Sequence, residues 1–266
     1  MYTKRHTLMN KRNIVIVLVG LIVVAGAGAF YLFGNPIGSS LSHTIIETGD
    51  RQHKENTDYY TVQINYPDKT PLATRGAWGA ENRAEATISN TLSGLINQFK
   101  QAGNVDSLSQ EEKDRLNKNG LKYSLNIGYH AYSSGSFVSY EFDIFMDTGG
   151  AHPNNFYKTL VFDLNGNAVS LGDLFNPGSN YLDRIAQAAN TQVAAQLKQR
   201  AGASAAGSII TDGVSAKEEN FASFVVDSDR IRIFIPPYQA AAYAAGSFEV
   251  QIPLTDVKDI LKPGIN

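Results

Sequence analysis

The strongest constraint on the fold is a pair of alternating apolar and polar runs in the middle of the chain. The first run covers residues 123–129 and the second covers 138–146, and the turn Ser133-Ser134-Gly135-Ser136 lies between them. Successive side chains of a strand point to opposite faces of a sheet. The two runs therefore predict a β-hairpin that buries one face.

A short loop that follows this hairpin carries a single imidazole. Its sequence is Gly149-Gly150-Ala151-His152-Pro153-Asn154. The glycines allow positive φ and close backbone approach, whereas the proline fixes its own φ and biases His152 toward an extended conformation. Such a stiff loop either presents a binding group or makes a difficult chain reversal. We therefore take Gly149, Gly150, His152 and Asn154 as candidate binding residues.

The remaining patterns predict two main helices and further strands. Apolar residues at helical spacing predict one amphipathic helix over about 81–101 and a second helix whose apolar stripe runs from Leu182 to Leu197. Asn165-Gly166 is the strongest hairpin-turn signal. Further strands are predicted over 59–66, 156–164, 223–226, 230–235 and 247–253. The sum is an α+β fold in which antiparallel sheet packs against two main helices.

The N-terminus predicts one transmembrane helix. Residues 1–13 carry four basic and no acidic side chains, and residues 14–33 are uncharged. Twenty such residues form about 30 Å of helix, which matches a bilayer core. The positive-inside rule then makes 1–13 a cytoplasmic tail and places the C-terminal part outside the cell membrane. A cleaved signal peptide stays open, because Ala27-Gly28-Ala29 offers a cleavage site, and both interpretations export the same domain.

Composition restricts the classes of site and partner. The chain has no cysteine, which excludes disulfides, thiolate metal sites and a cysteine nucleophile. Of the 23 Lys and Arg residues, four lie in the tail, so 19 stand against 25 acidic residues in the exported part. We see no basic stripe and expect no nucleic acid partner. Residues 34–57, rich in Ser, Gly, Thr and charge, predict a juxtamembrane linker.

Several of these landmarks together resemble a known family. The most specific run comprises residues 138–146, the His152 loop, Leu160-Val161-Phe162-Asp163-Leu164 and Ser170-Leu171-Gly172-Asp173-Leu174-Phe175. Further along the chain, several positions resemble the C-terminal part of the same domain: Phe221, Phe234, Tyr238, Gly246 and Ile252-Pro253. The pattern is similar to the extracytoplasmic domain pair of RsiV-type anti-sigma factors and PdaC-type peptidoglycan deacetylases. It covers nearly everything after Asp58.

The resemblance implies a PdaC-like α+β subdomain over 58–150 and an RsiV-type α+β subdomain over 151–262. In RsiV-type proteins this domain binds lysozyme and triggers release of a sigma-factor-binding segment, and in PdaC-type enzymes it accompanies a separate catalytic domain. Here the tail is too short to bind a sigma factor, and no His-x-x-x-His pair is present. The resemblance thus implies a membrane-tethered binding or sensor module for cell-wall glycan or a secreted protein such as lysozyme.

His152 is the sharpest candidate for chemistry, and two interpretations stay open. With Asp143 or Asp147 it would serve a peptidoglycan-modifying hydrolase or deacetylase, which is the alternative function. The simpler interpretation is that its ring bonds a backbone carbonyl and pins the turn. A purely structural envelope protein is a third possibility. We assign no catalytic residue, metal ligand or cofactor, and we expect a non-enzymatic module.

Two further features are weighed in the same way. Glu141 and Asp143 share one face of a strand, where paired carboxylates can do acid–base work on glycans, but a solvated outer face explains them more simply. Tyr238 follows Pro236-Pro237 and precedes a small Ala/Gly run that ends at Gly246. Aromatic residues often anchor interfaces, so we add Tyr238 to the candidate binding residues.

Overall fold

The structure is a computed structural model that describes residues 50–201 and 211–265. The predicted tail (1–13), membrane helix (14–33) and most of the predicted linker lie outside those ranges. Within them, no helix combines the length and apolar character needed to cross a membrane. The linker predicted over 34–57 overlaps the first strand, β1 (Asp50–Asn56). This strand is polar at nearly every position because it lies at the edge of a sheet with both faces exposed.

The larger of two sheets has five strands in the order of the chain. After β1 come β2 (Tyr60–Pro67), β3 (Tyr123–Ser133), β4 (Phe137–Asp147) and β5 (Asn154–Asp163). All neighbours are antiparallel except β2 and β3, which run parallel. A parallel pair needs a crossover, and the helices between β2 and β3 supply it. The predicted hairpin is confirmed as β3 and β4.

The described residues hold four α-helices, two of which are the predicted main ones. These are α1 (Leu72–Arg75), α2 (Ala80–Ala102), α3 (Gln110–Asn119) and α4 (Tyr181–Ala201). Helix α2 buries Ile88, Leu92 and Phe99 in one core with the apolar face of the hairpin. This core and the antiparallel majority of strand pairs make the fold mixed α+β, in line with the expected class.

The second sheet is smaller and belongs to a second core. Strands β6 (Phe224–Asp227), β7 (Arg230–Ile235) and β8 (Phe248–Pro253) pair antiparallel in that order. Helix α4 packs on this small sheet with Ile185, Val193 and Leu197. Side-chain amides on the same helix also donate to strand β8, for example from Gln192 to the Gln251 carbonyl at 2.7 Å.

The edge of the small sheet packs on the second face of the large sheet. The amide of Phe224 donates to Thr159 Oγ1 at 2.9 Å, and the amide of Val226 donates to Ser139 Oγ at 3.1 Å. The Ser139 hydroxyl also donates to the Val226 carbonyl. Hydroxyl groups of the large sheet therefore satisfy the backbone edge of β6. Strand β4 is consequently covered on both faces.

Candidate functional site

The predicted stiff loop connects β4 to β5. Only one of its two glycines has a backbone conformation that requires glycine. Gly149 has φ +77°, and a Cβ there would lie 2.7 Å from the Tyr123 ring. Its amide donates to Asp147 Oδ1 at 2.9 Å, which tightens the turn. Gly150 has neither a positive φ nor a close neighbour, since its nearest contact would be 3.9 Å from the His152 carbonyl oxygen.

His152 is held on both ring nitrogens. Nδ1 lies 3.0 Å from the Pro153 carbonyl oxygen, and Nε2 lies 2.9 Å from the Tyr238 hydroxyl. Because a carbonyl only accepts, Nδ1 carries the proton and donates to Pro153, and in the neutral ring Nε2 accepts from Tyr238. This backbone contact is the kind that the pinning interpretation predicts. The contact to Tyr238 joins two segments 86 positions apart.

Three rings form an aromatic cluster at this position: His152, Tyr238 and Tyr243. His152 stacks on Tyr243 with ring centroids 4.2 Å apart, and the two tyrosine rings are 5.2 Å apart. The Tyr243 hydroxyl donates to the Pro153 carbonyl at 3.1 Å. Tyr238 has φ +71° and is 56% exposed. A non-glycine residue at positive φ is uncommon, and such conformations concentrate at functional sites.

A cleft of about 320 Å³ lies beside the aromatic cluster. Side-chain amides and aromatic rings line it, together with Met146, Pro236 and Pro237. The amides belong to Gln98, Asn154 and Asn155, and the rings to Phe156, Tyr238 and Tyr243. Amide groups both donate and accept hydrogen bonds, and ring faces offer flat apolar area. The cleft therefore suits a neutral ligand with polar edges and an apolar face.

The loop at 149–154 and the segment around Tyr238 thus meet at one place. Asn154 begins β5 and lines the cleft directly, whereas Gly149 shapes the turn and neither Gly149 nor Gly150 lines the cleft. Tyr243 stacks on the imidazole, but the sequence did not single it out as a site residue. The one sequence signal for Tyr243 was its position five residues after Tyr238, in the same segment.

The carboxylates considered as partners of His152 contact other groups. Asp147 accepts from the Gly149 amide, and Asp143 Oδ2 lies 3.4 Å from His130 Nε2. Within residues 50–201 and 211–265, no three His, Asp or Glu side chains are grouped closely enough to hold a metal ion. The geometry around His152 is therefore that of a hydrogen-bonded and stacked ring beside a cleft.

A cluster of four polar side chains lies between the two sheets. We call this cluster the polar seam, and it consists of Tyr132, Glu141, Arg232 and Glu249. The solvated outer face expected for Glu141 is wrong, because this side chain is 5% exposed. The small sheet covers it, and strand alternation cannot show what covers a polar face. Burial raises the pKa of Glu141 to about 7, and Asp143 adds to the rise, whereas Tyr132, His130 and Arg232 oppose it.

The cation of the polar seam comes from the small sheet. Arg232 donates from Nε and Nη2 to the two carboxylate oxygens of Glu249, at 2.7 and 2.9 Å. Its guanidinium also lies 4.9 Å from the centre of the Tyr132 ring. Paired, hydrogen-bonded charges are the form in which buried ions are tolerated. The sequence did not single out Arg232, since it lies 91 positions after Glu141 and alternates with Arg230 and isoleucines in a strand whose arginine face would be expected in solvent.

Comparison with known families divides the chain into two matching parts. A family model described as deacetylase PdaC matches residues 53–155, and a model of a family of unknown function, DUF3298, matches residues 172–255. The chain carries a PdaC-like/DUF3298 domain pair. The resemblance to a PdaC-like pair seen in the sequence is thereby confirmed. In this pair the cleft takes residues from both matched parts, namely Gln98 and Asn154 from the first and Tyr238 and Tyr243 from the second.

One curated protein and two solved structures are similar to parts of this chain. The peptidoglycan-N-acetylmuramic acid deacetylase PdaC of Bacillus subtilis is 28% identical over 153 residues, which is 57% of this chain and 31% of that protein. The chain thus spans about a third of that relative. A DUF3298 family structure from Bacteroides fragilis shares the fold, with a TM-score of 0.54, 20% identity and coverage of 83% of this chain and 96% of that one. The structure of a DUF3298 family protein from Pseudomonas aeruginosa has a TM-score of 0.49 and 17% identity, with coverage of 85% of this chain and 96% of that one.

Proposed function

We propose that this chain is a membrane-anchored extracytoplasmic binding module whose ligand is a cell-wall glycan. The coarse part of this proposal follows from domain content, since PdaC-like and DUF3298 domains suggest an extracytoplasmic, cell-wall-related protein. The Bacillus subtilis relative is named for its action on peptidoglycan. The uncharged run at 14–33 supports the proposed membrane anchor.

The observation that carries the ligand class is the cleft beside the aromatic cluster. N-acetylated sugars present CH groups on the faces of their rings and hydroxyl and amide groups at the edges. Tyrosine rings can cover the first, and the amides of Asn154, Asn155 and Gln98 can hydrogen-bond the second. The cleft is also lined by neutral side chains, which suits an uncharged ligand better than an ionic one.

Calorimetric titration with soluble peptidoglycan fragments tests the proposal. Residues 43–266, which leave out the predicted membrane helix, are suitable material. We expect Tyr238→Ala to weaken binding about tenfold or more, because truncation of an aromatic anchor costs more than about 1.4 kcal/mol. Trp78→Ala is the matched control, since it removes another exposed aromatic side chain that does not line the cleft. No heat with the original chain, or equal loss in both variants, would contradict the proposal.

Two parallel measurements separate the other candidate functions. Titration with lysozyme in place of glycan asks whether the ligand is a secreted protein. Acetate release from peptidoglycan, compared between the original chain and His152→Ala, asks whether the chain is a deacetylase. Turnover that depends on His152 would replace the binding proposal with an enzymatic one. Binding without turnover supports the binding module.

A further inference from the structure

We propose that Trp78 docks the folded domain onto the surface of the lipid bilayer. Trp78 lies in the short loop between α1 and α2 and is 97% exposed, more than any other large apolar side chain of the described residues. The proposal rests on the membrane-anchored part of the proposed function. It is independent of the glycan cleft, which lies at the other end of the large sheet.

The loop that carries Trp78 is built tightly against its neighbours. The Ala77 amide donates to the Leu164 carbonyl at 2.8 Å, and a Cβ at Gly76 would lie 2.8 Å from Ala80 Cβ. Gly166 packs so closely on the carbonyl of Ala80 that a Cβ would lie 2.1 Å from its oxygen. These contacts fix the backbone on both sides of Trp78. The indole is thus held outward by a rigid support, and no contact covers it.

Two exposed arginines lie on either side of Trp78 along the chain, Arg75 at the end of α1 and Arg83 in the first turns of α2. Arg75 donates to the Ser134 carbonyl at 2.7 Å, and Arg83 donates to the Asn165 carbonyl at 2.7 Å. Both bonds tie the support to neighbouring turns, and both side chains stay solvent-exposed. Trp is enriched at the level of lipid headgroups, and cations close to the surface are attracted to lipid phosphates. An exposed indole on a support that also carries two exposed arginines therefore has the chemistry of a bilayer contact.

The strand register places this loop at the end of the sheet where the chain enters. Asp50 pairs opposite Pro67, and the Tyr129 hydroxyl donates to Asp50 at 2.7 Å. The same end contains the β3–β4 turn and Leu164, which contacts the Trp78 loop. Asn154 and the cleft lie at the opposite end, about 30 Å away along β5. The end that leads back toward the predicted anchor thus bears Trp78.

The length of the connection makes one tryptophan sufficient. Sixteen residues, 34–49, separate the predicted membrane helix from Asp50. A tether of this length gives an attached group an effective concentration on the order of millimolar at the bilayer. A single interfacial indole binds a membrane only weakly when free, but tethering converts weak affinity into substantial occupancy. A second lipid anchor is therefore not required.

The experiment uses the fact that Trp78 is the only tryptophan of the chain. Full-length protein is reconstituted into vesicles of phosphatidylcholine and phosphatidylglycerol, with and without lipids brominated close to the headgroup. We expect Trp78 emission to shift to the blue and to be quenched by bromine. The matched control moves the reporter: Trp78→Tyr combined with Leu121→Trp. Leu121 is also exposed and precedes β3 at the opposite end of the sheet, so its emission should stay water-like and unquenched.

Each outcome decides between the proposals. Quenching at position 78 but not at 121 supports docking through Trp78. Protein that floats with the vesicles without quenching at 78, or with equal quenching at both positions, overturns docking and leaves the tether intact. Protein that does not float overturns both docking and the anchor, while the glycan titration still tests the cleft. A blue shift produced by peptidoglycan fragments without lipid overturns the bilayer as the partner and assigns Trp78 to glycan.

Discussion

The Tyr132 hydroxyl donates a 2.6 Å hydrogen bond to Glu141 at the place where the two sheets meet. The same tyrosine ring lies under the guanidinium of Arg232, which belongs to the small sheet. One residue of the large sheet thus contacts both the buried carboxylate and the buried cation of the polar seam. Contact between the two sheets is therefore coupled to the protonation of the Glu141 carboxyl group.

Stability is expected to fall as pH rises toward neutrality. The pKa of Glu141 is raised to about 7, so the folded state binds this proton more tightly than the unfolded chain does. The resulting stabilisation is complete below the ordinary pKa and is lost as pH rises through about 7. The hydrogen bond to Asp143 raises the pKa of His130, which acts in the same direction. Urea titrations should show a free energy of unfolding about 2 kcal/mol lower at pH 8 than at pH 5.5.

Glu141→Gln provides the control for this pH dependence. The amide retains the size of the side chain and accepts a hydrogen bond from Tyr132, but it does not titrate in this range. Most of the decline between pH 5.5 and 8 should therefore disappear, and the remainder belongs to His130. An unchanged pH profile in Glu141→Gln would show that the decline arises elsewhere.

Loss of the Ser139 hydroxyl should weaken the attachment of the small sheet. Ser139→Ala leaves the buried amide of Val226 without its acceptor, and an unsatisfied buried donor costs about 1–3 kcal/mol. Chemical denaturation measures this loss. Ser136→Ala is the matched variant, because that hydroxyl donates to the Gly264 carbonyl at an exposed position, and we expect a change below about 0.5 kcal/mol. Equal effects in the two variants would contradict a special role for the buried hydroxyl.

A pair of glycine variants should separate close packing from backbone strain. Gly166 and Gly178 both have φ +77°, but only Gly166 has backbone atoms where a Cβ would be. Gly178→Ala should cost about 1–2 kcal/mol from φ alone. Gly166→Ala should cost clearly more, by roughly 2 kcal/mol or above, because the Ala80 carbonyl must move. Thermal unfolding of both variants tests this, and equal losses would mean that the support of Trp78 is loosely packed.

Sequence patterns predicted the elements that have a strong period. Strands β3 and β4 alternate because one face is apolar, and helices α2 and α4 carry apolar stripes, so all four were predicted. Strand β1 was missed because an edge strand with two exposed faces has no apolar alternation. Helix α3 has no apolar stripe, since Leu116 is its one buried residue, although its N-terminus has a signal, the capping box of Ser109 and Glu112.

The candidate site was predicted in parts but not as an assembly. His152 and Tyr238 each lie in a sequence segment with unusual backbone preferences. His152 lies in a loop with two glycines and a proline, and Tyr238 lies between two prolines and a run of Ala and Gly. Nothing in the sequence states that they touch, because their contact depends on how the small sheet lies on the large one. The burial of Glu141 was mispredicted for the same reason.

The hydroxyl-capped edge of β6 has a consequence for how such domains are inherited. The DUF3298 match begins at residue 172, after Ser139 and Thr159, so these caps lie outside the segment that the family model matches. Expressed alone, that segment would expose an open strand edge, which invites pairing with other chains. The smallest part that could be moved intact between proteins is therefore the pair, and a gene fusion that separated its halves would yield an aggregating product.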